Sequence, residues 1–156
     1  MKTVEEIERA HDILTPFKRT VCACSKCVAC CKRQPGPLAP GDVERIEAFL
    51  GEPVEKYLVA SRGSLVKNFL TGIARWVGTI TPRFVKGRCV FLDGDDRCKI
   101  HPVAPFGCAY FDTHQGYAEG QRRGVWFIQR IEESAEYKAL RAKLPLSQKS
   151  KGQAGG

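Results

Sequence analysis

A small, irregular α+β domain, with several short helices and a small β-ribbon gathered around clustered cysteines, is predicted by three features of this 156-residue sequence. Five of its eight cysteines, Cys22, Cys24, Cys27, Cys30 and Cys31, fall within ten residues, and Cys89, Cys98 and Cys108 follow far downstream. Helix-spaced apolar residues occupy the first third of the chain, whereas short β-prone runs begin near Thr79. Fifteen glycines and nine prolines against one methionine imply much irregular backbone, as expected of a fold organised by a metal centre as well as by packing.

Taken in order, Val4, Ile7 and Leu14 at helical spacing among Glu5, Glu6, Glu8 and Arg9 predict a short amphipathic helix ended by Pro16. The cysteine run reads as a loop or broken turn reaching the breaker Pro35-Gly36-Pro37. A second helix begins near Pro40, with Asp42 early in it, Val43, Ile46, Phe49 and Leu50 on one face and Gly51 as its C-cap. A third helical stretch is expected from Pro53 to about Ala60, and the apolar segment Ser64 to Trp76 is ambiguous.

The runs Thr79 to Val85, Arg88 to Leu92 and Arg97 to Ile100, with the turn Asp93-Gly94-Asp95-Asp96, predict a β-ribbon carrying Cys89 and Cys98 on either side of a turn. A proline- and glycine-rich loop from His101 to Gly107 then delivers Cys108. Val125 to Ile131 is a strand or the approach to a helix, and Glu132 to Leu144 is a helix closed by Pro145. The expected organisation is one domain over residues 1–145 and a disordered tail over 146–156.

The spacing Cys24-x-x-Cys27-x-x-Cys30-Cys31 lets successive thiolates turn towards one ion or cluster, with the distant cysteines completing the site. An even number of cysteines also admits disulfides. The N-terminus lacks an apolar stretch behind its basic residue, so a cytoplasmic chain with reduced thiols is expected. No run approaches the ~18 apolar residues of a membrane span, and no membrane association is expected.

A net charge of +8 suggests an acidic partner, but many basic residues lie close in sequence to cysteines, where they would offset thiolate charge. Nucleic acid is the disfavoured partner, because the basic residues form no long stripe and no recognition helix. The crowded Asp93, Asp95 and Asp96 lack the following glutamate of an EF-hand and read as a solvated turn.

The segments CSKCVACC, LAPGDVERIEAFLG, CVFL and CKIHPVAPFGC, in that order, resemble a cysteine-cluster family often called the YkgJ family and described as zinc- or iron-chelating. That family's pattern is CxxCxxCC, a helix with an acidic start, a CxFL motif and a CxIYxxRPxxC motif, and the match runs from about Cys24 to Cys108. The resemblance implies a metal-binding set of Cys24, Cys27, Cys30, Cys31, Cys89, Cys98 and Cys108, with Cys22 outside it. His101 stands in place of the family tyrosine, and no arginine precedes Pro105. The family also resembles the cysteine region of flagellin lysine N-methylase.

Soft thiolates select zinc, cuprous copper or iron–sulfur clusters. The run of two-residue gaps completed by a remote cysteine speaks for a [4Fe–4S] cluster, and this is the preferred reading. Two separated pairs, Cys24 and Cys27 against Cys89 and Cys98, or Cys98 and His101, speak for zinc. His101 has the spacing of a zinc ligand or hydrogen-bonds within its loop, while His114 and His11 read as exposed. Phe91, Tyr110, Phe111, Trp126 and Phe127 are expected to wall the metal region and supply the core.

The expected function is that of a small metal-binding protein with a structural or redox role, partnered by a metal ion or cluster and by a protein redox partner. The alternatives are a zinc-organised interaction or nucleic-acid-binding module, and an accessory or catalytic component of a methyltransferase-like protein modification. The residues leave open whether the chain is an enzyme.

Overall fold

The computed structural model describes residues 2–11, 15–19, 24–33, 35–67, 70–111 and 114–147, and only the backbone of His11 and Cys30. Leu14, Cys22, Asp112 and the tail from residue 148 onward lie outside the described residues. The fold is α+β, with helices α1 (Val4–His11), α2 (Ser25–Cys31), α3 (Asp42–Leu50), α4 (Phe106–Ala109), α5 (Tyr117–Glu133) and α6 (Ala135–Lys143). Strands β1 (Leu58–Lys67) and β2 (Ala74–Pro82) form one antiparallel pair, and β3 (Phe84–Val85) and β4 (Arg88–Cys89) form a second.

Helix α1 starts where Thr3 and Glu6 cap one another: the Thr3 amide donates to the Glu6 carboxylate at 2.8 Å, and the Glu6 amide donates to Oγ1 of Thr3 at 3.2 Å. It buries Ile7 completely and packs on α3. Helix α3 ends as its sequence predicts, with Gly51 at a φ of 75° donating its amide to the Glu47 carbonyl at 2.8 Å.

Asp42, at the start of α3, is buried and accepts hydrogen bonds from the amides of Ala39 at 2.7 Å and Phe106 at 2.8 Å, and from the Arg45 guanidinium at 2.8 Å. One carboxylate therefore joins α3 to α4, the helix that carries Cys108. Around α4 the ring of Phe106 stacks on Phe127 at 5.1 Å and Trp126 at 5.3 Å. It also stacks on Tyr110 at 4.8 Å and meets Phe111 edge-on. Four of the five aromatic residues expected to build the core thus surround one phenylalanine, while Phe91 packs on Tyr57.

Several expectations need correction. Residues 53–60 form only a single 3-10 turn, Glu55–Tyr57, before β1 begins at Leu58. Leu58, Val59 and Ala60 are all buried, and β1 is paired along its length by β2, so tertiary packing overrides a weak helical pattern. The ambiguous segment 64–76 belongs to this hairpin, which is the larger sheet, whereas the anticipated ribbon is reduced to β3–β4 and one bridge between Leu92 and Cys98. The cysteine run is helical over α2 rather than a loop. Val125–Ile131 lies inside α5, where Phe127, Ile128 and Ile131 fall on the buried face, and Ser134 divides α5 from α6 by accepting the Tyr137 amide at 3.1 Å.

The hairpin is held from behind by α6. The Tyr137 hydroxyl accepts from the Ile80 amide and donates to the Leu38 carbonyl, both at 2.7 Å. Arg141 donates to the carbonyls of Thr79 and Ser61 and crosses Gly78, where a Cβ would stand 2.3 Å from the guanidinium carbon. Beyond α6, Leu146 bridges Ala60, whose amide donates to Pro145 and whose carbonyl accepts from Ser147.

Candidate metal centre

Two groups of thiols emerge from this scaffold. The first lies at the start of α2, where the Val28 amide donates to the Cys24 carbonyl and opens the helix. Cys24 and Cys27, three residues apart, then share one helical face with their sulfurs 3.7 Å apart. Nε2 of His114 lies 3.5 Å from Sγ of Cys24, so two sulfurs and a ring nitrogen cluster within 4.8 Å of one another. Both cysteines are half-buried and His114 is exposed.

These separations match a tetrahedral ion. Two thiolates ~2.3 Å from a zinc at the tetrahedral angle stand about 3.8 Å apart, and a thiolate and an imidazole nitrogen about 3.5 Å apart. In a [4Fe–4S] cluster each thiolate binds a different iron, which spreads the sulfurs beyond such contact. His114 is placed by the backbone before α5, where Gln115 and Arg123 both donate to the Tyr110 carbonyl, at 3.0 and 2.7 Å.

The second group comprises Cys31 at the end of α2, Cys89 in β4, Cys98 after the Asp93–Asp96 turn, and Cys108 in α4. These four thiols are near enough for the charge on one to bear on the ionisation of its neighbours, but among the described residues only Cys24, Cys27 and His114 bring three ligand atoms within 4.8 Å of one another. Backbone amides point at three of the sulfurs: Phe91 and Leu92 at Cys89, Ile100 at Cys98 and Gly36 at Cys108. Amides aimed at sulfur favour the thiolate a metal requires. Burial opposes them, pushing the Cys89 thiol up to about 12, the Cys98 thiol up to about 11 and the Cys108 thiol well above its ordinary value. A bound cation reverses that preference and takes the thiols as thiolates.

Local packing explains how the second group closes. A Cβ on Gly36 would stand 2.5 Å from the Gly107 carbonyl carbon and 2.6 Å from Sγ of Cys108. A Cβ on Gly107 would meet the Pro37 ring at 2.2 Å. The breaker Pro35-Gly36-Pro37 therefore seats the loop against α4, fixed by the Gly107 amide donating to the Pro37 carbonyl at 2.9 Å. On the other side, Asp96 pairs with Lys32 at 2.7 Å and with Arg88, tying the turn beside Cys98 to the end of α2. The Asp93 carboxylate closes that turn by accepting the amides of Asp95 and Arg97, as a solvated turn should.

Of the cysteines expected to bind metal, Cys24 and Cys27 fall in the first group and Cys31, Cys89, Cys98 and Cys108 in the second. Only the backbone of Cys30 is described, and Cys22 lies outside the described residues. Sequence reasoning missed His114, read as an exposed loop residue: it is exposed, and it also reaches Cys24. Its distance from Cys24 in sequence, 90 residues, left no spacing signal to find it by. His101 instead sits in a 3-10 turn, His101–Val103, where its carbonyl accepts from Arg19 at 2.8 Å.

An α+β scaffold that gathers cysteines and one histidine from distant segments defines a thiolate metal-binding class of protein. The family model CxxCxxCC, described as "Putative zinc- or iron-chelating domain", matches residues 23–139, three quarters of the chain, and the chain belongs to this family. No curated protein and no solved structure showed a significant match. Among the described residues no helix is long and apolar enough to cross a membrane.

Proposed function

We propose that the protein binds metal at two centres: an open tetrahedral zinc-type ion held by Cys24, Cys27 and His114, and a closed centre held by Cys31, Cys89, Cys98 and Cys108. The observation that carries the reading is the 3.7 Å and 3.5 Å spacing of the first three ligands, which suits one ion and not a cluster. Among the described residues three ligands gather here, and one of them, His114, is exposed, which suits a site at the protein surface where metal is exchanged. The second centre, with Cys89 buried, the other three thiols half-buried and amides aimed at three of the sulfurs, contributes folding energy. The protein then handles metal at its surface on a scaffold that a second metal stabilises.

Metal and acid-labile sulfide analysis of anaerobically purified protein tests this. Two metal equivalents are expected, one lost in His114→Ala and the other retained. A single equivalent lost in both Cys27→Ser and Cys98→Ser would sink the two-centre reading.

A second reading applies to the closed centre alone. Four thiols from four segments, packed against apolar side chains and three of them hydrogen-bonded by amides, also suit a [4Fe–4S] cluster with a redox role and a protein redox partner. Acid-labile sulfide that disappears in Cys98→Ser and persists in His114→Ala supports that version; colourless, sulfide-free protein supports zinc at both centres.

A further inference from the structure

Past its bulge, the β1–β2 hairpin becomes largely exposed, held to the body by Val66 against the core and by Arg75 paired with Glu132 of α5. Leu58–Ala60 and Thr79–Pro82 are buried, whereas Ser64, Leu65, Lys67, Ala74, Arg75 and Trp76 are exposed. Gly63 makes the bulge at a φ of 87°, where a Cβ would stand 1.8 Å from the Val77 carbonyl oxygen. Four large apolar side chains lie uncovered on this arm: Leu70 is 97% exposed, Ile73 67%, Leu65 57% and Trp76 47%. Such a concentration on one projection marks a contact surface.

The charge of the same segment is one-sided. Residues 56–92 contain seven Lys and Arg and none of the chain's 17 Asp and Glu. Three of the seven, Arg62, Lys67 and Arg75, lie in the β1–β2 hairpin itself, Arg75 paired with Glu132 of α5, and the hairpin holds no acidic side chain. The surface complementary to this arm is anionic and also accepts aliphatic side chains.

We propose that the hairpin docks on an anionic lipid bilayer surface. The side chains are graded along its length: Leu70 and Ile73 flank Gly72 near the turn, and Leu65 pairs with Trp76 further in. Arg62 lies deeper still, with its guanidinium 4.1 Å from the Trp76 ring centre. Hydrocarbon, aromatic belt and phosphate follow in the same order through a membrane interface, and long basic side chains such as Lys67 reach back to the headgroups. A nucleic acid would satisfy the cations but offer nothing to the aliphatic tip. An acidic protein would need a fitted apolar pocket, whereas a bilayer needs none.

Co-sedimentation of the metal-loaded protein with phosphatidylcholine vesicles, with and without phosphatidylglycerol, tests the proposal. Binding to the anionic vesicles is expected, weakened by added salt. Leu70→Ser with Ile73→Ser should reduce it at least about tenfold, since two aliphatic side chains lose their burial. A blue shift of tryptophan fluorescence on binding should disappear in Trp76→Phe. Equal metal content and circular dichroism in the variants establish that they fold. No binding to anionic vesicles at low salt, binding unchanged by the tip variant, or a shift that survives Trp76→Phe overturns the proposal. So does hairpin-dependent binding to RNA or to an acidic protein by a chain that ignores the vesicles.

Discussion

Nε2 of His114 stands 3.5 Å from Sγ of Cys24, joining the start of α2 to the segment before α5 across 90 residues of chain. With Cys27 this contact gathers, among the described residues, two thiols and an imidazole from one helical turn and one remote loop.

Replacing His114 by alanine should weaken zinc binding at the open centre by at least about tenfold while leaving the fold intact, because an exposed ligand contributes affinity and little packing. Competition with a chromophoric chelator measures this. His114→Cys should restore much of the affinity, and an alanine variant that binds zinc like the parent would exclude His114 as a ligand.

Replacing Cys89 or Cys98 by serine should act on the whole fold. Loss of a metal that contributes folding energy should lower the unfolding midpoint by more than about 10 °C, and chelation of the parent protein should do the same. Cys22→Ser, outside the implied ligand set, should leave metal content unchanged by elemental analysis.

Metal-free and metal-loaded protein should respond oppositely to alkali. In the metal-free fold burial raises the Cys89 thiol to about 12 and the Cys98 thiol to about 11 from 9.0. Above pH 9 the unfolded chain has lost protons that the fold still holds, so stability falls as pH rises from 9 towards 11. The loaded fold holds thiolates, binds fewer protons than the unfolded chain below pH 9, and gains stability as pH rises towards that value. Thermal unfolding of both forms between pH 6 and about 10.5 distinguishes the slopes; parallel slopes would show that the buried thiols do not bind the metal.

Gly36→Ala should destabilise the protein by about 2 kcal/mol or more and loosen the closed centre, since its Cβ would overlap the Gly107 backbone and Sγ of Cys108. Gly94→Ala, with open space around its Cβ, is the matched control and should be nearly neutral. Denaturant titration of the two variants provides the comparison.

Tyr137→Phe removes a hydroxyl that serves both the Ile80 amide and the Leu38 carbonyl. The buried amide is left unsatisfied, at a cost of about 1–3 kcal/mol. A variant as stable as the parent would mean that another group takes over that bond.

Much of the architecture follows from local sequence alone. The helix over Asp42–Leu50 with its glycine cap was legible because capping and apolar spacing act within a few residues, and the cysteine spacing pointed to metal for the same reason. The α+β class and the CxxCxxCC family were legible too. The segment 53–76 was not: a weak helical pattern became a strand because β2, Leu146 and α6 bury it, and those partners lie far along the chain.

The division of the thiols was also a tertiary decision. Spacing makes Cys24, Cys27 and Cys31 neighbours, and nothing in it says that Cys31 belongs with Cys89, Cys98 and Cys108, or that Cys24 and Cys27 meet His114. Sequence by itself determined which chemistry this chain carries, because ligand type and spacing are local properties. Only the folded backbone decided which thiols and which histidine come together, because contacts across 60 to 90 residues depend on how α2, the Asp93–Asp96 turn, α4 and the start of α5 pack together.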